Sequence, residues 1–250
     1  MSQSRREVLR RQQEAQAKAK RLNRIVAMAA IVVGVVLVGI FGVILAQTWG
    51  SGGTSTAATP PNATSNANGI IVNPGKGTDS SPTVELFVDY QCPVCKQFDL
   101  RHGPMIRELA DSGQIKLIYR TMNFLDNNLR NDSSTRAAVA AACTDQAGVY
   151  AAYHDAIFAN QPAVEGDGYP TELLRVTLPA TVGLSGDKLT SFQQCYDTRS
   201  TLSFIKGTNE AAARDGITGT PALRINGKAI EFAAFFNIPS DQLKALILAG

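Results

Sequence analysis

The stretch Thr83-Val-Glu-Leu-Phe-Val-Asp-Tyr-Gln-Cys-Pro-Val-Cys-Lys-Gln-Phe98 changes its pattern at Cys92, and that change decides the fold. Thr83 to Val88 is a short run of apolar and β-branched residues, bounded by Ser-Ser-Pro and Asp-Tyr-Gln, and reads as a strand. From Cys92 the apolar positions adopt helical spacing at Phe98, Leu100, Met105, Ile106 and Leu109, with a kink expected at Gly103-Pro104. Cys92 therefore stands at a helix N-terminus, where the macrodipole and free N–H groups favour a thiolate. Cys95 lies one turn on, close enough to bridge to Cys92 and less exposed. Cys92 is the sulfur that attacks or is attacked, and Cys95 resolves. Pro93 suits the first turn, where its missing N–H would have no intrahelical partner.

Two other uses of C-x-x-C fit less well. Zinc prefers four ligands, and the chain has no second C-x-x-C, while His102 and His154 are not spaced as a ligand pair. A purely structural disulfide across so short a loop restrains the unfolded chain little.

Outward from the motif, Ile115 to Arg120 is a second strand after an Asp-Ser-Gly turn. A strand–helix–strand unit of this length implies a parallel pair. A helical block follows over about 126–215, with Ser133, Ser134 or Thr135 as a cap for its first helix and Pro-Ala-Val-Glu-Gly-Asp-Gly-Tyr-Pro as a loop. Two further strands, Pro221 to Ile225 and Ala229 to Phe232, are joined by Asn226-Gly227, a strong hairpin signal. A last amphipathic helix runs from Asp241 to Leu248. The order is β-α-β, helical block, β-β-α.

With VELFVDYQCPVCKQF at 84–98 and GITGTPALRING at 216–227, the chain resembles the DsbA-like branch of the thioredoxin superfamily. It is most similar to the membrane-anchored actinobacterial members. The resemblance covers residues 82–250 and implies an α/β thioredoxin fold with a helical insertion. It also implies that Thr220-Pro221 forms a cis-proline loop facing the two cysteines. A cis X-Pro bond exposes the backbone of the preceding residue, so Thr220 would pair with an extended substrate segment. The implied chemistry is thiol–disulfide exchange with exported proteins that carry cysteines. A quinone-linked membrane partner, DsbB-like or VKOR-like, would reoxidise the pair, and no diffusible cofactor is required.

The chain departs from that family at two places. The dipeptide that tunes the redox potential is Pro93-Val94, where DsbA-type oxidases often carry histidine. Six positions before the first cysteine, where many relatives place an acid, stands Leu86, and the nearest acids are Glu85 and Asp89. Glu85 is a candidate proton relay or a solvated strand-end acid.

The N-terminal third is of a different kind. Residues 1–24 carry eight of the chain's 24 basic residues against Glu7 and Glu14, so the rest of the chain is slightly acidic and no basic nucleic-acid-binding body is expected. Ile25 to Ala46 has no charged or strongly polar side chain, and as a helix spans roughly 33 Å, enough for a membrane core. It is too long for the apolar core of a cleaved signal peptide, and a cut after Ala46 would leave Ile44 where a small residue is needed. Bases before it and none until Lys76 set the N-terminus in the cytoplasm and the following domain outside. Residues 47–81, rich in Gly, Ser, Thr, Asn and Pro, read as a flexible tether. The organisation expected is a basic tail at 1–24, a signal anchor at 25–46, the tether and a domain over 82–250.

Cys143 and Cys195 remain, both in the helical block. Four cysteines allow three pairings, and the C-x-x-C spacing favours Cys92–Cys95 with Cys143–Cys195 as a structural disulfide. The alternative is two free buried thiols. His102 and His154 are expected at the surface or at helix caps. Function is therefore expected to be disulfide formation at Cys92-Pro93-Val94-Cys95. Its rivals are a reductase or isomerase built from the same parts and a non-catalytic peptide-binding module.

Overall fold

Five strands, β1 Ile70–Val72, β2 Thr83–Asp89, β3 Lys116–Met122, β4 Ala222–Ile225 and β5 Lys228–Ile230, form one sheet in a computed structural model that describes residues 57–250. Their spatial order is β1-β3-β2-β4-β5. The anchor expected at 25–46 and the tail before it lie outside the described residues. Among the described residues no helix is long and apolar enough to cross a membrane.

β2 pairs in parallel with β3, Thr83 opposite Lys116, and antiparallel with β4, Leu86 opposite Leu223. The parallel pair needs a crossover, which helix α1 Pro93–Asp111 supplies, running unbroken through Gly103-Pro104. Side chains alternate across the sheet. Val84, Leu86 and Val88, with Leu117 and Tyr119 of β3, join Phe98, Ile106 and Leu109 of α1 in the main core. On the opposite face Phe87 and Met122 meet Ala212 in a smaller cluster. The β4–β5 turn has Asn226 at φ 50° and Gly227 at φ 78°, the two left-handed residues of a type I′ hairpin.

The tether is shorter than the composition implies, and the folded domain begins before residue 82. Ile70 and Val72 are buried, and β1 runs antiparallel to β3 with Ile70 opposite Tyr119. Asn62 donates its backbone N–H and side-chain amide to the Asp145 carboxylate at 2.8 and 2.9 Å. A Cβ at Gly69 would stand 2.7 Å from Ile118 Cγ2, so the approach to β1 needs glycine. The cause is the β-branched triplet Ile70-Ile71-Val72, which closes the edge that β3 would otherwise expose.

The insertion comprises α2 Leu125–Leu129, α3 Ser133–Thr144, α4 Tyr150–Ala159, a π-helical turn Leu173–Thr177, α5 Leu178–Thr181, α6 Gly186–Asp197 and α7 Leu202–Arg214. α8 Phe232–Phe235 and α9 Ser240–Ala249 close the chain. α3 is capped differently from the expectation. Ser133, Ser134 and Thr135 are its first helical residues, and their N–H groups donate to the side chains of Asn131 and Asp126. Its residues 137–142, five alanines and Val139, are buried. Cys143 and Cys195 are joined at 2.03 Å, which ties α3 to α6.

Both histidines are corrected from surface to core. His154 is fully buried, its Nδ1 2.9 Å from the Tyr90 hydroxyl and its ring stacked on Tyr119. His102 is fully buried with Nδ1 2.9 Å from Ser240 Oγ. Each has a polar partner from a distant segment, which offsets the cost of burial.

Candidate active site

Cys92 is the N-cap of α1, with extended backbone at φ −75° and ψ 115°, and is separated from the C-terminal end of β2 by Tyr90 and Gln91. Its Sγ accepts from the Cys95 N–H at 3.3 Å, which satisfies one of the unpartnered amides of the first turn. The two thiols are unbridged, Cys92 being 6% exposed and Cys95 fully buried. Pro93 and Val94, the half-buried residues between them, fill the first turn.

Burial and hydrogen bonding drive the two sulfurs apart. The Cys95 thiol donates to Cys92, and with the Cys95 and Val94 amides and Thr220 it outweighs burial, so Cys92 is lowered to about 6. Burial pushes Cys95 well above the ordinary thiol range, and the neighbouring Cys92 adds to the push. One sulfur is thus poised as a thiolate near neutral pH and the other is held as a thiol.

The Thr220–Pro221 peptide is cis, and the Thr220 carbonyl oxygen lies 3.5 Å from Cys92 Sγ. Pro221 is buried and Thr220 half-buried. Beside them opens a cavity of about 420 Å³ bounded by Thr218, Thr220, Pro221, Glu231, Phe232 and Phe235. Phe232 is 45% exposed there.

The helical insertion holds the loop that carries Cys92. Gln161, just beyond α4, donates from Nε2 to the carbonyls of Tyr90 and Cys92 at 2.7 and 3.0 Å. The Tyr169 hydroxyl donates to the Tyr90 carbonyl at 2.7 Å. Gln91 donates from its amide to Asp126, Asn131 and Ser134. These residues carry no motif in the sequence, and only their position in the fold identifies them.

Glu85 does not stand with the cysteines. It faces the α7 side of the sheet, where Arg120 Nε is 3.2 Å and Arg224 Nε 3.9 Å from its carboxylate. Both arginines also hold Asp215, at 2.6 and 3.0 Å, just before the segment that leads to Thr220. The buried carboxyl at the end of β2 is Asp89, fully enclosed, with Ser134 Oγ donating at 2.6 Å and the Gln91 N–H at 2.9 Å. Burial outweighs these donors and raises Asp89 to about 7.

A second charged group lies behind α1. Asp99, His154 and Asp155 converge to within 4.8 Å, a spacing compatible with a cation. Arg107 already supplies one, with Nη1 3.3 Å from Asp99 and 2.9 Å from Asp155. Burial pushes Asp99 up, but His154 and Arg107 hold its carboxyl below the ordinary range.

Comparison with known proteins gives the same picture of the domain. The family described as Thioredoxin matches residues 75–247. The serine/threonine-protein kinase PknE of Mycobacterium tuberculosis is 28% identical over 193 residues, covering 73% of this chain and 34% of the kinase. The chain therefore spans about a third of the length of that relative. Disulfide bond formation protein D of Bacillus subtilis is 25% identical over 189 residues, covering 74% of this chain and 80% of that protein. The solved structure of MdbA, a thiol-disulfide oxidoreductase from Actinomyces oris, superposes with a TM-score of 0.62 at 19% identity, covering 77% and 92% of the two chains.

Proposed function

The chain belongs to the thioredoxin family, and from that premise we propose that it is a DsbA-type thiol–disulfide oxidoreductase that introduces disulfides into exported proteins. The observation that carries this reading is the asymmetric pair at the start of α1, a Cys92 thiol lowered to about 6 beside a buried Cys95 pushed upward. The names of MdbA and of protein D, both given for disulfide chemistry, support it.

In the oxidised protein a substrate thiolate attacks Cys92 Sγ. The Cys92–Cys95 bond breaks, Cys95 leaves with the electron pair, and its raised affinity for a proton draws one from solvent. A second substrate thiolate attacks the substrate sulfur of the mixed disulfide and expels Cys92 as a stabilised thiolate. Two electrons pass to the protein, the substrate gains one disulfide, and the two substrate protons are balanced by solvent. Stabilising the leaving Cys92 thiolate favours the reduced protein, so the disulfide form is the stronger oxidant. A quinone-linked membrane protein, DsbB-like or VKOR-like, then removes the two electrons.

Thr220 and Pro221 form the edge against which the substrate segment lies, and exposed Phe232 offers it apolar contact. The apolar run at 25–46, with bases before it, is the anchor that keeps the domain outside the cytoplasmic membrane. Glu85 is engaged by two arginines on the α7 side of the sheet and has no part in the exchange. The second reading is a reductase or isomerase, favoured by a dipeptide, Pro93-Val94, that brings no titratable group to the thiolate.

Cys92→Ala abolishes disulfide transfer. In Cys95→Ala the Cys92 thiolate attacks the disulfide of an oxidised, unfolded substrate and releases one substrate thiolate. With no second cysteine to resolve it the mixed disulfide accumulates, visible as an adduct on non-reducing gels. Normal turnover by either variant would overturn the proposal.

A further inference from the structure

The segment that leads to the cis peptide is a ridge with a groove on each side. One groove is the cavity beside Phe232 described above. The other, about 530 Å³, lies on the α2 side and includes Phe124, Asn127, Asn128, Glu210, Ile217 and Thr218. Ile217 and Thr218 line both grooves. Asn127, Asn128 and Glu210 are exposed, whereas Phe124 and Ile217 are half-buried and pack against Phe87 and Met122. The groove thus has an apolar floor, four asparagine side chains and one carboxylate; Asn123 and Asn209 already bond within the fold, and the exposed Asn127 and Asn128 amides can donate and accept.

Its position relative to the redox pair fixes what can reach it. A substrate cysteine joined to Cys92 must lie beside Thr220, whose carbonyl oxygen is 3.5 Å from Cys92 Sγ. An extended segment running antiparallel to the ridge then places the residue two positions C-terminal to that cysteine beside Thr218. The step is roughly 7 Å and keeps the side chain on the same face. Thr218 is the edge of the groove.

Resting on the oxidoreductase reading above, we infer that this groove is a second subsite for the substrate polypeptide. It receives the residue two positions C-terminal to the reacting cysteine in an extended segment and prefers a basic or uncharged side chain there to an acidic one. The exposed side-chain amides of Asn127 and Asn128 donate to and accept from the main chain of the segment. Glu210 supplies the charge preference.

The test uses the full chain in its oxidised form and two unstructured single-cysteine peptides. They differ only in Lys or Glu two positions after the cysteine, and the rate of mixed-disulfide formation is measured at low ionic strength. For one exposed charge pair the wild-type rate ratio, Lys over Glu, is expected at about 3. Glu210→Lys inverts it to about one third, and Asn128→Asp raises it to about twice the wild-type value. Because the ratio cancels any change in the cysteine pair itself, it reads the groove alone. A ratio equal in the wild type and both variants overturns the subsite and leaves the redox reading intact. Failure of the oxidised wild type to oxidise dithiothreitol overturns the redox reading, and the subsite with it.

Discussion

Removing the Cys95 sulfur should move the titration of Cys92 by an amount set by one hydrogen bond. The largest influence lowering Cys92 to about 6 is donation from the Cys95 thiol. A hydrogen bond to a charged group contributes about 1.5–3 kcal/mol. At about 1.4 kcal/mol per pH unit, its loss raises the inflection by about 1–2 pH units, to about 7–8. The residue 95 N–H, 3.3 Å from Cys92 Sγ, survives in Cys95→Ala, so the inflection stops short of a free thiol's. Cys95→Ser keeps a donor and should stay near 6. The assay is the pH dependence of iodoacetamide alkylation of the reduced protein between pH 4.5 and 9.5, conditions chosen to bracket about 6 and about 8.5. The inflection is read rather than the plateau rate, because intrinsic nucleophilicity changes with the acidity of the thiol. A wild-type inflection near that of a free thiol, or coincident profiles for wild type and Cys95→Ala, would refute the reasoning. The same value fixes a redox consequence. At pH 7 a thiol lowered to about 6 stabilises the reduced protein by about 1.4 kcal/mol relative to an ordinary cysteine, which is about 30 mV.

Other outcomes follow from the surroundings of the pair. Asp89, raised to about 7, holds a proton in the folded state that the unfolded chain releases. Stability therefore falls as pH rises from about 4 to 7, by up to about 4 kcal/mol. Asp89→Asn, which can still accept from Ser134, should flatten that dependence in denaturant titrations at pH 5 and 8, and an unchanged slope would count against the assignment. Gln161→Leu leaves the Cys92 carbonyl only the Lys96 N–H at 3.2 Å and the Tyr90 carbonyl only Tyr169. It should cost about 1–3 kcal/mol of stability, and a neutral substitution would show that the insertion does not hold the loop. Replacing Cys143 and Cys195 together by alanine opens a closure of sequence separation 52. It should cost about 4 kcal/mol by the chain-entropy account, measured against the wild type with Cys92 and Cys95 reduced in both.

The parts of the fold that were legible in the sequence are those whose signals are local. The strand into Cys92, the parallel pair, the Asn226-Gly227 hairpin and the final helix each rest on neighbouring residues, and each is present. What escaped depends on distant partners. β1 escaped because three β-branched residues sit in a segment whose average composition is that of a tether, and its value lies in the edge of β3. His154 escaped because Tyr90, Tyr119 and Asp99, which satisfy or stack on it, come from three different elements or their flanks. The period-two pattern placed Glu85 and Asp89 on one face of β2, but only the packing of α3 against the strand's end distinguishes the buried acid from the one paired with arginine. Cys92 and Cys95 needed no such context, because spacing and helix position alone single them out. Gln161 and Tyr169 bear on the same loop from the insertion, and nothing local marks them.

The reduction potential of the Cys92–Cys95 pair in the full chain, measured by equilibration with glutathione buffers, tests the proposed direction of electron flow most directly. The account predicts a value above about −180 mV, toward the roughly −120 mV of a strong disulfide donor. A value near the roughly −270 mV of thioredoxin would contradict it and make the protein a reductase.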